Sequence, residues 1–217
     1  MKNLFFILCL AFVVSCNYNT QKKEPLSKSE EPSVFNYDPS STVFGWTAFK
    51  FVEKVGVKGG IDSVVISKTK PSSNPLDVFK NASFVIYPNT TNSENTIRDK
   101  KIVDYFFGNT KTPDKITGFI KTLNKDSSLV SLMFNGVERD VVANIYSRGT
   151  NVFLECNINV LEWGAKLALG EINNACELEH KGGGAKSVLW PDIKIIVSST
   201  LIKTKTAITG AKTEEIN

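Results

Sequence analysis

The sequence predicts an all-β domain: an antiparallel β-barrel of about eight strands with one amphipathic helix. Three observations carry this. Short runs alternate apolar with polar side chains, are rich in Val, Ile, Thr and aromatics, and are divided by turns of Gly, Pro, Asn and Ser. Asn135-Gly136, between two such runs, is a strong tight-hairpin signal. One long stretch, residues 92–108 (NSENTIRDKKIVDYFFG), has helical character. A lone amphipathic helix among strands must lay its apolar face on a sheet or across the mouth of a barrel, and closing the sheet removes its edges.

In that stretch Asn92 or Ser93 is positioned to cap the first turn, with Glu94 where the helix dipole favours a carboxylate. Ile97, Val103 and Phe106 share one face, Arg98 to Lys101 lie on or near the other, and Gly108 ends it.

The 217 residues are 41% apolar with a formal charge of +4, which suits one domain with a real core plus extra segments. The charges are mixed along the chain and make no case for nucleic acid. Residues 1–15 read as a leader. Lys2 supplies its positive end, and residues 4–14 are an apolar run too short to span a bilayer. Val13-Val14-Ser15-Cys16 resembles a bacterial lipobox, in which Cys16 is lipidated and becomes the first residue. The alternatives are an ordinary secretory signal cleaved near Ser15 and an uncleaved anchor. Lipid on Cys16 would tether the chain to a membrane without spanning it, in a periplasm-facing place in the cell envelope. Residues 16–33, polar and rich in Lys, Glu, Ser and Pro, read as a flexible tether. The domain then runs over 34–204, and 205–217 is a polar tail.

Cys9 leaves with the leader, so Cys156 and Cys176 remain as an even pair in an oxidising compartment. They are either bridged, closing a loop for about 3 kcal/mol of chain entropy, or two buried free thiols. One His and no CxxC give no metal site.

The first strand of the domain, 42–51, places Val43, Gly45, Thr47, Phe49 and Phe51 on one face and Phe44, Trp46, Ala48 and Lys50 on the other. Both faces are partly apolar, as in a barrel wall with a greasy interior and some outer cover. Residues 61–67 continue a second strand that begins at the glycines Gly56, Gly59 and Gly60, and residues 78–87 form a third. Strands follow at 116–123, 129–134, 137–146, 152–161 and 188–203, the last interrupted by Trp190-Pro191. Residues 165–176 are mixed and read as a loop crossing a barrel end.

Candidate catalytic features fail one by one. Gly182 to Ser187 lacks the spacing of a phosphate loop and no helix follows it. His180 lies in a Gly-rich polar loop with no nucleophile motif in the chain, and reads as a solvated side chain. Nothing in the spacing singles out two carboxylates. Arg98-Asp99 is either a head-group contact at the barrel mouth or a structural pair that positions the helix.

Several segments together resemble one family. Asn95, Arg98-Asp99, Ile102 and Phe106-Phe107 are similar to the asparagine, Arg-Asp, aliphatic and paired-Phe pattern of the YceI-like proteins. The opening Asp38, Ser41, Val43 and Trp46, the glycines at 56–60, and the hairpin LVSLMFNGVERDVVANI add weaker matches in the same order. Val85-Ile86-Tyr87-Pro88 departs from the pattern, while Asn89-Thr90-Thr91 keeps its polar loop. The resemblance covers 35–203. It implies a lipocalin-like barrel that holds a polyisoprenoid or other long-chain lipid, with no protein-bound cofactor.

On that reading the apolar cavity is expected to be lined by Val43, Trp46, Phe49, Phe84, Ile86, Phe106, Phe107, Phe119, Ile158 and Ile195, with Gly45, Ala48 and Gly118 making room. A forty-carbon chain at roughly 0.3 kcal/mol per heavy atom gains on the order of 12 kcal/mol. Burial alone therefore suffices, with no catalytic group. The expected function is an envelope lipoprotein that binds or carries an isoprenoid or fatty lipid. The alternative is a scaffold lipoprotein with a filled core and an outward aromatic patch for a protein partner. An enzyme is not expected.

Overall fold

The computed structural model describes residues 33–183 and 186–205. The leader at 1–15, Cys16 and the tether up to residue 32, residues 184–185 of the glycine loop, and the tail from 206 lie outside the described residues.

The strands in chain order are β1 Ser33–Asn36, β2 Val43–Lys50, β3 Val55–Ile61, β4 Val64–Ser67, β5 Ser83–Ile86 and β6 Thr91–Asn92, then, after a helix, β7 Ile116–Leu123, β8 Ser127–Phe134, β9 Val137–Arg148 and β10 Asn151–Asn159. Two further helices precede β11 Leu189–Thr200 and β12 Ile202–Lys205. The helices are α1 Thr96–Lys101, α2 Lys166–Ala175 and α3 Glu177–Lys181. Ten strands make one antiparallel sheet in the order β4-β5-β7-β8-β9-β10-β11-β2-β3-β6.

The two ends of that order are joined through the chain itself. β3 and β4 are one bent strand, separated only by Asp62 and Ser63. β3 pairs with β6 at Gly60–Asn92 and Ile61–Thr91, and β4 pairs with β5 from Val64–Ile86 to Ser67–Ser83. Between these, Asp62 N donates to Thr90 O (3.0 Å), Ser63 N to Thr90 Oγ1 (2.9 Å) and Tyr87 N to Ser63 O (3.1 Å). The sheet thus closes into a barrel of eight staves: β2, β3–β4, β5–β6, β7, β8, β9, β10 and β11. The expected strand count holds once the two bent strands are counted whole. Along the far edge of β3 the closure is brief, since its pairing with β6 covers Gly60 and Ile61 only.

Turn chemistry sets the register. Asn135 (φ 49°) and Gly136 (φ 72°) both adopt positive φ, the type I′ geometry that matches strand twist. Asn135 does further work: its Oδ1 accepts from Lys111 N (2.8 Å) and its Nδ2 donates to Trp163 O (2.7 Å). Trp163, 1% exposed, donates from Nε1 to Leu132 O (3.1 Å). The turn at residues 160–163 is thereby pinned to the β8–β9 hairpin.

Three expectations about elements change. The helix in 92–108 starts later, because Thr91 and Asn92 are spent on β6. Asn95 is the cap, its Oδ1 accepting from Arg98 N (2.9 Å), and beyond Lys101 the turns widen over Ile102–Phe106 and then tighten over Phe107–Asn109. Residues 78–87 are not one strand: Leu76–Phe79 is a short 3₁₀ turn whose Val78 and Phe79 plug one end of the barrel, and only Ser83–Ile86 is extended. Within residues 165–176, Lys166–Ala175 are helical as α2, and its Ala168 packs with the preceding Ala165 against Trp163 and Phe134. β1 and β12 also pair, from Ser33–Lys205 to Asn36–Ile202, bringing the two domain ends together.

Most of the core lies in two clusters toward the barrel ends. Leu76, Val78, Phe79, Ala82, Ile120, Ile145, Val152 and Leu201 fill one end. Leu132, Phe134, Val141, Val160 and Trp163 with α2 fill part of the other. The helical segment is seated by Phe106, which meets Phe107 edge-on (5.1 Å) and stacks on Phe134 (6.1 Å). A third cluster, Phe44, Ile61 and Ile86, lies beside the remaining space in the barrel.

Candidate functional site

Between these ends lie two adjoining cavities, of about 480 Å³ and about 110 Å³. Phe44, Ile86, Leu132 and Ile195 line both. The smaller is walled almost entirely by apolar side chains, including Phe84, Ile120, Val130 and Leu154. The larger runs from those shared residues to α1, α2 and α3, where Asn95, Arg98, Lys101, Glu179, His180 and Lys50 join its wall.

Strand parity decides which residues face in. On β2 the even positions Phe44, Trp46 and Ala48 line the larger cavity, and Val43 is 64% exposed. Val43 is therefore not a cavity residue, since it opens the strand on the outer face. Phe49 belongs to that outer parity but still lines the larger cavity, at the end where the chain turns through Phe51 (φ 63°). On β7, Ile116 and Ile120 face in and Phe119 faces out at 41% exposure, under the ammonium of Lys121. Phe119 is thus also outside the cavity, with Ile120 in its place. Trp46, Ile86, Phe106, Phe107, Ile158 and Ile195 line the larger cavity, and Phe84 the smaller.

Two aromatics lie flat on glycines of neighbouring strands. A Cβ on Gly118 would come 2.4 Å from the Phe84 ring and 2.2 Å from Ser131 O, and a Cβ on Gly59 would come 2.2 Å from the Trp46 ring. Trp46 Nε1 also donates to Gly60 O (3.0 Å). These glycines hold rings in the wall rather than opening space. Gly45 faces the backbone of Ile196. Of the three small residues expected to make room, Ala48 is the one that lines the cavity.

Arg98 and Asp99 converge on a single residue. Asp99 Oδ1 accepts from Ser93 N (2.9 Å) and from Ser93 Oγ, while Arg98 Nε donates to Ser93 Oγ (2.7 Å) and its Nη2 to Ser93 O (2.6 Å). The pair staples the segment that leads into α1, which is its positioning role. Arg98 lines the larger cavity as well.

The thiols are not bridged. Cys156 and Cys176 are both free: Cys156 lies on the inner wall of β10 against the smaller cavity, and Cys176 ends α2 against the larger. Burial pushes the Cys156 thiol up to about 11 and raises Cys176 too. These shifts keep both thiols protonated and inert at neutral pH.

Sequence reading missed the wall contributed by α2 and α3. Leu169, Ile172 and Cys176 line the larger cavity, and their spacing of three and four residues was the available helical signal. His180 is 8% exposed, not solvated. Its Nδ1 stands 3.0 Å from Asn173 Oδ1, which also accepts from Ser187 Oγ, so Nδ1 carries the proton. Burial first, then the charge of Lys50, push its pKa down; Glu179 pulls the other way, and Lys101 adds a smaller downward push.

A closed antiparallel barrel with a capped apolar interior invites comparison with known structures. The chain is similar to a polyisoprenoid-binding domain from Saccharophagus degradans implicated in plant cell wall breakdown, at a TM-score of 0.54 and 14% identity, over 82% of this chain and 100% of that one. It shares that domain's fold, a lipocalin-like antiparallel barrel. Weaker likenesses are BcnA of Burkholderia cenocepacia (TM-score 0.49, 13% identity, 78% of this chain and 100% of that one) and the YceI protein of Campylobacter jejuni (0.48, 18%, 72% and 89%). Neither a family model nor a curated protein matches the sequence. The fold that the Arg98-Asp99 helix and the 135–136 hairpin led us to expect is the fold found.

Proposed function

We propose that this chain is a non-catalytic carrier that holds one long apolar chain, an isoprenoid or fatty lipid, inside its barrel, and that lipid on Cys16 anchors it in a bacterial envelope facing the periplasm. The observation that carries the reading is the pair of adjoining cavities in the middle of the barrel. A scaffold with a filled core would have packed that space to crystal-like density.

Volume limits the guest. An apolar cavity of about 150 Å³ holds one benzene. By that measure 480 Å³ accepts about three such rings, or roughly twenty carbons. The adjoining space takes a few more. The guest is then a chain of about fifteen to twenty carbons, or part of a longer one, rather than the whole of a forty-carbon chain. Twenty carbons at roughly 0.3 kcal/mol each give about 6 kcal/mol, a dissociation constant of tens of micromolar from burial alone.

Native mass spectrometry of the purified protein tests this. A co-purified hydrophobic mass, released on unfolding, is the expected result. A bare protein mass that also takes up no added long-chain lipid refutes it.

A further inference from the structure

The larger cavity changes character where α1 and α3 meet β2. Lys101 Nζ pairs with Glu179 Oε1 at 2.7 Å, and Lys50 Nζ donates to the main-chain oxygen of the same residue at 3.0 Å. One residue thus gathers two ammonium groups and supplies one negative charge. Arg98, nearly one helical turn before Lys101, lines the same cavity with two of its nitrogens spent on Ser93. The charged wall residues are therefore three cations, Lys50, Arg98 and Lys101, against Glu179 alone, an excess of two positive charges. His180 adds none while it is neutral, and its lowered pKa reflects in part the positive potential of Lys50 and Lys101.

Lys50 is the least compensated of the three. Among the described residues its contacts are the Glu179 carbonyl and the face of Phe51, 4.5 Å from the ring centroid. An ammonium that borders an apolar space without a carboxylate partner gains most from an oxyanion delivered beside it. A neutral head group gives back less of that solvation, and a cationic one is repelled.

We propose that the guest is an anionic amphiphile: an apolar chain whose terminal oxyanion, carboxylate or phosphate, is held by Lys50 and Lys101 at the end of the cavity. This rests on the reading of the barrel as an apolar-chain carrier, and adds the class of head group. The chain lies along Trp46 and Ile195, and the head sits where Glu179 already draws the two lysines together.

The test keeps the tail constant and varies the head. The full chain, stripped of co-purified lipid, is titrated with oleate, oleyl phosphate, oleyl alcohol and oleylamine, read by the fluorescence of Trp46 and Trp190 in the cavity wall. At least one anion binds about tenfold or more tighter than the alcohol, as expected of a charge-assisted hydrogen bond, and the amine binds weakest. The order of oleate and oleyl phosphate tells which oxyanion the mouth prefers. The double variant Lys50→Gln with Lys101→Gln then binds the preferred anion no better than the alcohol. Equal binding of the alcohol and both anions to the parent chain overturns the proposal, with no variant needed. So does a double variant, folded by circular dichroism, that keeps the tenfold preference. In either case an alcohol that binds leaves the carrier reading intact, whereas failure of all four to bind overturns the carrier reading and this one together.

Discussion

Replacing Ala48 by Phe is the most direct way to ask whether the space inside the barrel is used. Ala48 sits on the inward face of β2, pairs with Val57 and Ile193, and lines the larger cavity. The substitution adds six carbons to that wall, about one benzene-sized volume out of the three or so that 480 Å³ provides. Capacity falls from roughly twenty guest carbons to roughly fourteen. A guest long enough to fill the parent cavity loses about six carbons of burial, near 2 kcal/mol at roughly 0.3 kcal/mol each, or about twentyfold in affinity. A twelve-carbon guest still fits and keeps its affinity. The assay is a fluorescence titration of parent and variant with saturated fatty acids of twelve and twenty carbons. Thermal stability should hold or rise, because the ring enters empty apolar space. Equal losses for both chain lengths, or none for either, would show that the guest does not occupy this space and would refute the reasoning.

Two further outcomes follow from single contacts. Gly118→Ala drives a Cβ into Ser131 O and the Phe84 ring, and because one partner is backbone the strand pair must part. Overpacking of this kind costs about 3 kcal/mol, visible as a fall in Tm, and an unchanged Tm would contradict the packing described for β5 and β7. Cys156 gives a pH dependence. Below pH 9 its thiol is protonated whether folded or unfolded; from there to about 11 the unfolded thiol has lost its proton and the buried one keeps it. Stability therefore falls as pH rises through that window, on the order of 2 kcal/mol in all. Urea unfolding of parent and Cys156→Ala at pH 8 and pH 10.5 checks this. The variant should show the shallower fall, and parallel falls would mean that the thiol is not desolvated.

Much of the architecture was legible because local chemistry and global fold agree. Asn135-Gly136 is a hairpin signal on its own, and the structure uses it as one. The helix within 92–108 was announced as well, although its cap is Asn95 and not Asn92 or Ser93. What resisted reading involves choices that local pattern leaves open. β2 is apolar on both faces, so nothing in its alternation told Phe44 from Val43. On β7 ring size favoured Phe119, yet the ring of Phe84 lies against Gly118, which settles that Gly118 and Ile120 point in. α2 has no side-chain cap and begins straight after Gly164 (φ 68°), so its start signal is missing although its apolar spacing is present. The mouth was invisible for another reason: Lys50, Lys101 and Glu179 come from β2, α1 and α3, and only the closed barrel brings them together.

The far edge of β3 carries a last consequence. Strand partners hold that edge only at Gly60 and Ile61, so from Val55 to Gly59 the wall is a zip left undone, with Val57 and the α1 residues Ile97 and Arg98 both bordering the same cavity. On the carrier reading, a tail entering along this edge would leave the hydrogen-bonded pairing from β7 to β8 and from β10 through β11 to β2 intact.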